Sequence, residues 1–188
     1  MAKKPKATTG ADKILVCRIE RCMACKSCEV ACAVVHSKSK DLHGAILEEP
    51  RPQRRVTVEA AGAQAIPIQC RHCEDAPCIA VCPTGAIARA GERGPVLIAE
   101  DRCIGCKLCL VVCPFGVIEV SRSGRAVVKC DLCIERTKAG EEPACVAACP
   151  TTALRLVDAG EFSRRKRHKA AAEQAQAESA AGEEAVKA

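Results

Sequence analysis

A chain of 188 residues forms one compact unit or two small modules folded together, and this one has almost no aromatic side chains to build around: no Trp, no Tyr, only Phe115 and Phe162. Seventeen cysteines take their place as the feature any account must meet. The formal charge of +6 does not point to nucleic acid, because residues 1–13 hold +3 of it, residues 163–188 hold +2, and no aromatic platforms exist for stacking bases.

Residues 1–12 are basic, with Lys3, Lys4 and Lys6, and are expected to be flexible. They are not followed by the apolar run of a secretory signal, nor do they hold a twin-arginine motif. No apolar stretch is long enough to cross a bilayer. Cysteine at this density without a secretory signal implies a reducing cytoplasm and bound metal rather than disulfides.

An apolar strand at Ile14–Cys17 leads into the first cysteine group: Cys22, Cys25, Cys28 and Cys32. Residues 33–65 then connect, with Pro50, Pro52 and a strand at Arg55–Glu59 that is expected to form a hairpin with Ile66–Gln69. The second group is Cys70, Cys73, Cys78 and Cys82, followed by Pro83-Thr84-Gly85. A strand at Val96–Ile98 precedes the third group, Cys103, Cys106, Cys109 and Cys113, with Pro114-Phe115-Gly116 after it. Strands at Val117–Val120 and Ala126–Val128 lead to the fourth group, Cys130, Cys133, Cys145 and Cys149, with Pro150-Thr151-Thr152 and a strand at Leu154–Val157 beyond. This is an internal repeat of strand, cysteine loop, short helix, turn and strand. Each helix is expected to start near the third cysteine and stop at the Cys-Pro, where the ring cannot continue it. The Ala-, Glu-, Gln- and Lys-rich segment 161–188 reads as a charged tail, mobile alone and able to form a helix on a partner.

The spacing specifies the metal. A [4Fe–4S] cube needs a thiolate at each of four iron corners, and C-x2-C-x2-C wraps three of them from one side. The fourth cysteine follows one helical turn later. The third group matches the bacterial ferredoxin run in full, including its Cys-Pro. The first departs only at Ala33, and the second and fourth are stretched between their second and third cysteines. Zinc is the competing metal, since a four-cysteine zinc site uses two separated pairs. The fourth group alone could pass for that; the first and third could not, because a third cysteine sits too close. Cys17 is left over and reads as an inert thiol in a strand. His72 could hydrogen-bond near a cluster or stand exposed; a ligand role would need a missing cysteine, and none is missing. Lys26 and Lys107 read as solvated loop residues, and Arg164–Lys169 as a solvated or docking run. No nucleophile–base pair or phosphate-cradling loop is visible, which argues against an enzyme.

Cys-Arg-His-Cys-Glu-Asp-Ala-Pro-Cys at 70–78 and Lys-Cys-Asp-Leu-Cys at 129–133, within four such groups, resemble the four-cluster ferredoxin-like electron-transfer subunits. These serve molybdopterin oxidoreductases, formate-linked hydrogenases and carbon monoxide dehydrogenases. The likeness covers roughly residues 13–158. Ala31–Lys40, Ala45-Ile46 and Arg55–Glu59 are most similar to the carbon monoxide dehydrogenase branch.

The resemblance implies an α+β fold of two ferredoxin-like modules with pseudo-two-fold repeats, each around a pair of [4Fe–4S] clusters, the second inserted in the first. The outer module would be residues 13–64 and 122–160, the inner one 65–121. It further implies four ligand sets: Cys22, Cys25, Cys28 and Cys149; Cys130, Cys133, Cys145 and Cys32; Cys70, Cys73, Cys78 and Cys113; Cys103, Cys106, Cys109 and Cys82. Spacing alone leaves nested and sequential pairing both open. The implied role is electron transfer between a catalytic redox subunit, carbon monoxide dehydrogenase first and a hydrogenase, formate dehydrogenase or other molybdopterin oxidoreductase as the alternative, and a second redox protein as acceptor. The expected location is cytoplasmic, or peripheral at the inner face of the membrane. An oxidised cubane with four thiolates carries about −2, so four of them would make an acidic body between basic ends.

Overall fold

The cysteine groups cut the chain into short pieces, and the secondary structure follows the cuts. The computed structural model describes the backbone of residues 13–187 and the side chains of 13–178. The basic stretch 1–12 lies outside the described residues.

β1 (Lys13–Cys17) leads to the first group, whose helix α1 spans Ser27–Val35. A short helix α2 (Leu42–Leu47) follows, capped by the Asp41 carboxylate, which accepts the N–H of Gly44. β2 (Val56–Ala61) and β3 (Gln64–Gln69) form the expected hairpin, with Val56 opposite Gln69 and Ala61 opposite Gln64. α3 (Pro77–Ala80) serves the second group, β4 (Ile87–Arg89) and β5 (Val96–Ile98) form a hairpin, and α4 (Leu108–Val112) serves the third group. β6 (Glu119–Val120) pairs with β7 (Val127–Val128). α5 (Ile134–Lys138) occupies the insert of the fourth group, α6 (Ala144–Ala147) carries its third cysteine, and β8 (Leu154–Asp158) runs into the long α7 (Ala159–Lys187).

The helix rule drawn from the sequence holds where its chemistry is present. α3, α4 and α6 each begin next to the third cysteine and end before Cys-Pro. α1 runs on to Val35, because Ala33 stands where the other groups have proline. Three pieces escaped the reading: β4, α2 and α5 are short, and their few apolar residues carry no clear period. The C-terminal segment is helical here, exposed along most of its described length and without an apolar stripe.

β1 and β8 pair antiparallel, with Lys13 opposite Asp158 and Cys17 opposite Leu154. This joins the strand before the first group to the strand after the fourth. Two cores follow. One packs Leu15, Cys28, Cys32, Val56, Val58, Leu132, Cys145, Val146 and Leu154. The other packs Ala76, Cys78, Ile87, Val96, Cys109, Ile118 and Val127. The result is a mixed fold of repeated small β–α units in a pseudo-symmetric arrangement, consistent with tandem ferredoxin-like modules. No helix among the described residues is long and apolar enough to cross a membrane.

Candidate metal centres

No disulfide joins any of the seventeen cysteines. In each of the four groups, the residue before the second cysteine lies in the left-handed region: Ala24 (φ 57°), His72 (φ 50°), Gly105 (φ 68°) and Leu132 (φ 60°). Only one is glycine, so three of the four loops hold a conformation costing about 1–2 kcal/mol per residue. Strain of this kind persists where the surroundings over-determine it, and it clusters at ligand clamps. Here it turns backbone N–H groups toward sulfur: His72 N–H points at Cys70 Sγ (3.4 Å), and Leu132 N–H at Cys130 Sγ (3.4 Å). Arg55 N–H donates to Cys32 Sγ (3.2 Å) and Ala153 N–H to Cys149 Sγ (3.2 Å). Such donors lower the cost of a buried thiolate. The sequence flagged Gly105 alone among these turns; the three others carry no sequence signal.

The thiols differ in setting. Cys28, Cys32, Cys78, Cys109, Cys130, Cys133 and Cys145 are buried, while Cys25 and Cys106 are exposed. Burial pushes Cys32 and Cys145 up to about 12 and Cys28 up to about 11, and lifts Cys130 well above the ordinary range. Burial works the same way on Cys149, but backbone N–H groups from Leu154, Ala153 and Thr151 and the Thr151 hydroxyl outweigh it, and the thiol is lowered. Ser27 lowers Cys25.

Packing brings thiols of different groups together, Cys28 and Cys32 with Cys145 in one core and Cys78 with Cys109 in the other, and the charges follow it. Cys25 feels Cys149. Cys32 feels Cys133, Cys130 feels Cys32 and Cys145, and Cys78 feels Cys70 and Cys113. Cys109 feels Cys103 and Cys106. First-group thiols thus stand near fourth-group thiols, and second-group thiols near third-group ones. Cys17 is half-buried beside Cys22 and Cys149, and burial pushes its thiol up to about 11. This suits an inert thiol.

Polar side chains that the sequence reading did not single out surround the fourth group. Asp131 takes Nε2 of His36 at 3.2 Å and Nη1 of Arg55 at 2.8 Å, and accepts the N–H of Cys133 at 2.9 Å. Burial alone would raise this carboxyl; the His36 and Arg55 contacts hold it well below the usual carboxylate range. His36 Nδ1 lies 2.7 Å from the Cys32 carbonyl oxygen. The available signal was the four-residue step from Cys32 to His36, one helical turn. His72 accepts the Val96 N–H at Nδ1 (3.1 Å), and its Nε2 is buried without a partner among the described residues.

A tetrahedral zinc with Zn–S of about 2.3 Å brings its sulfurs to about 3.8 Å from each other. Among the described residues, the group of three ligand atoms within 4.8 Å is His36, Asp131 and Cys133, which is the hydrogen-bonded network just described.

The sequence pattern of the 4Fe-4S dicluster domain matches residues 61–159, and that of a 4Fe-4S binding domain matches residues 19–35. The chain belongs to the 4Fe–4S ferredoxin-like electron-transfer family. An iron-sulfur protein of Rhodospirillum rubrum is 46% identical over 157 residues, 77% of this chain and 82% of the relative. Electron transport protein HydN of Escherichia coli K12 is 39% identical, covering 78% of this chain and 89% of the relative. The thiosulfate reductase electron transfer subunit PhsB of Salmonella typhi is 38% identical, covering 77% and 76%. A non-catalytic iron–sulfur carrier that works beside a catalytic redox enzyme accords with these relatives. The residues fit the group: buried thiols with backbone N–H groups aimed at their sulfurs suit bound iron–sulfur clusters.

Proposed function

We propose that this chain holds four [4Fe–4S] clusters on sixteen cysteines and conducts electrons between a catalytic oxidoreductase subunit and a second redox protein. The ligand sets proposed are Cys22, Cys25, Cys28 with Cys149; Cys130, Cys133, Cys145 with Cys32; Cys70, Cys73, Cys78 with Cys113; and Cys103, Cys106, Cys109 with Cys82. The clusters, when bound, supply one-electron storage and transfer. The chain's own residues hold them, exclude water and set the local charge.

One observation carries the nested arrangement: β1 pairs with β8, across the whole length between the first and fourth groups. Sequential pairing of groups one and two would leave that pairing without a purpose. The two cores support the same reading. One combines Cys28 and Cys32 with Cys145, and the other combines Cys78 with Cys109. The modules would be residues 13–64 with 122–160, and 65–121.

The relatives favour the broader set of partners, a hydrogenase, formate dehydrogenase or other molybdopterin oxidoreductase, over the carbon monoxide dehydrogenase that the sequence put first. PhsB is named as the electron transfer subunit of a thiosulfate reductase, so its name states a catalytic partner. A reducing cytoplasm suits so many cysteines with no disulfide among them. The test is anaerobic purification with metal and sulfide analysis. About sixteen irons and as many sulfides per chain are expected. A colourless protein with stoichiometric zinc would end the reading. Copurification with a catalytic subunit then identifies the partner class.

A further inference from the structure

Lys129 is a buried charge that holding iron does not by itself require. The residue is 3% exposed, and its ammonium donates to two backbone carbonyls, those of Val96 and Cys130, the second at 3.1 Å. An ammonium has three N–H donors, so one is left over. Among the described residues no carboxylate forms an ion pair with it. Asp131, two residues on, is engaged by His36 and Arg55. His72 offers no compensation either: its ring accepts the Val96 N–H at Nδ1 and carries no negative charge. A buried charge without a counter-charge is costly, and proteins retain one where an opposite charge is brought to it.

Its place is specific. Val96 is the most deeply buried residue of the inner core, at 1% exposure, and its carbonyl accepts Lys129 while its N–H donates to His72. Cys130 opens the fourth group. Lys129 therefore ties the core holding Cys78 to the loop holding Cys130 and Cys133. Val96 packs in the same core as Cys78.

We propose that the Lys129 ammonium is the fixed counter-charge for the two cluster sites at this seam, those of Cys70, Cys73, Cys78 and Cys113 and of Cys130, Cys133, Cys145 and Cys32, and that it raises the reduction potential there. This rests on the four-cluster reading above. A reduced cluster carries one more negative charge than an oxidised one, so a fixed positive charge nearby favours the reduced state, and does so strongly where water is excluded. Lys129 is thus a positioning and tuning residue, and not a ligand.

The experiment compares wild type, Lys129→Gln and Lys129→Arg, purified anaerobically, by iron and sulfide content and by redox titration followed by electron paramagnetic resonance. In Lys129→Gln, the seam signals are expected to become harder to reduce by about tenfold in the equilibrium constant, which is 59 mV for one electron. The other signals stay in place, and Lys129→Arg stays close to wild type. Full iron with every potential unchanged in Lys129→Gln overturns the proposal. If Lys129→Gln loses iron and Lys129→Arg keeps it, the charge is what the sites need, and the proposal stands. If both lose iron, the position is filled for shape rather than charge, and the proposal falls. Wild-type protein without cubane iron would be a different failure, that of the four-cluster reading itself.

Discussion

The compact loops of the first and third groups and the stretched loops of the second and fourth share their opening spacing but not their surroundings. In the compact loops the second cysteines, Cys25 and Cys106, are exposed, and the apolar residues that follow the first cysteines, Met23 and Ile104, are 64% and 66% exposed. In the stretched loops the second cysteine is drawn inward, half-buried at Cys73 and buried at Cys133, while Arg71, in the place of Met23, stays exposed. Leu132 is 6% exposed, Cys133 is buried, and His72 hides its Nε2. The repeat sets how thiols are spaced. The residues inserted between the second and third cysteines, and those just before the first, set what surrounds them. Buried charge and polar networks gather at the stretched loops, through Lys129, Asp131, His36 and Arg55.

The largest expected effect separates the two loop types directly. Cys145→Ser removes a thiol that is 6% exposed inside the outer core, so it should cost about four irons together with the packing of that core. Cys106→Ser, at an exposed corner, should cost about four irons and leave the rest of the fold in place. Iron analysis with anaerobic circular dichroism checks both. Equal structural damage from the two variants would erase the distinction between the loops.

Proton release sharpens it next. Burial raises Cys32 and Cys145 from 9.0 to about 12, and it raises Cys130 too. In the metal-free folded chain these thiols keep protons that the unfolded chain loses above pH 9. The folded state then binds more protons, so metal-free stability falls as pH rises from 9 toward about 12. Iron needs thiolates, so at pH near 7 the buried set has the higher hurdle. Reconstitution of chelated protein at that pH should fill the site with Cys25 and Cys149, both lowered beside a raised Cys28, before the site with Cys32, Cys130 and Cys145, all raised. The lag should shrink as pH approaches 9. Simultaneous filling at every pH would count against this account.

A core substitution tests the pairing of β1 with β8. Leu154 is 2% exposed, lies opposite Cys17, and packs in the core with Cys28 and Cys145. Leu154→Ala should cost about 2–5 kcal/mol. The loss should appear in anaerobic denaturant unfolding, with the signals of the outer pair going first. If the third-group signals go first, the outer core is not the unit that the pairing suggests.

Much of this was legible beforehand, because cysteine spacing and Cys-Pro punctuation are local chemistry. Strands at β1, β5 and β8, the β2–β3 hairpin and three helix ends follow from residues next to them in the chain. The pairing of β1 with β8 was not readable, since period and propensity say nothing about which of several short apolar strands meet. Nor was the burial of Lys129, because a lysine beside a cysteine loop reads as solvated unless the opposing element, here Val96, is known. Asp131 was similarly hidden: its partners Arg55 and His36 lie far off in the sequence. The left-handed turns at Ala24, His72 and Leu132 escaped because glycine is the usual signal for them, and only Gly105 supplies it.

That last point yields the smallest effect and a narrow test of why one loop needs glycine. Ala24 and Gly105 hold equivalent places, at φ 57° and φ 68°. A Cβ at Gly105 would stand 2.8 Å from the carbonyl oxygen of Arg125, a backbone atom that cannot swing away. Gly105→Ala therefore combines the left-handed cost, about 1–2 kcal/mol, with a backbone shift on the segment just before β7. Ala24→Gly removes that steric cost but loosens the unfolded chain, so the two terms offset to within about 1 kcal/mol. Anaerobic thermal loss of cluster absorbance should place Gly105→Ala clearly below wild type and Ala24→Gly close to it. If Gly105→Ala is as stable as wild type, then the Arg125 carbonyl does not constrain the third loop, and glycine there is interchangeable with the alanine of the first.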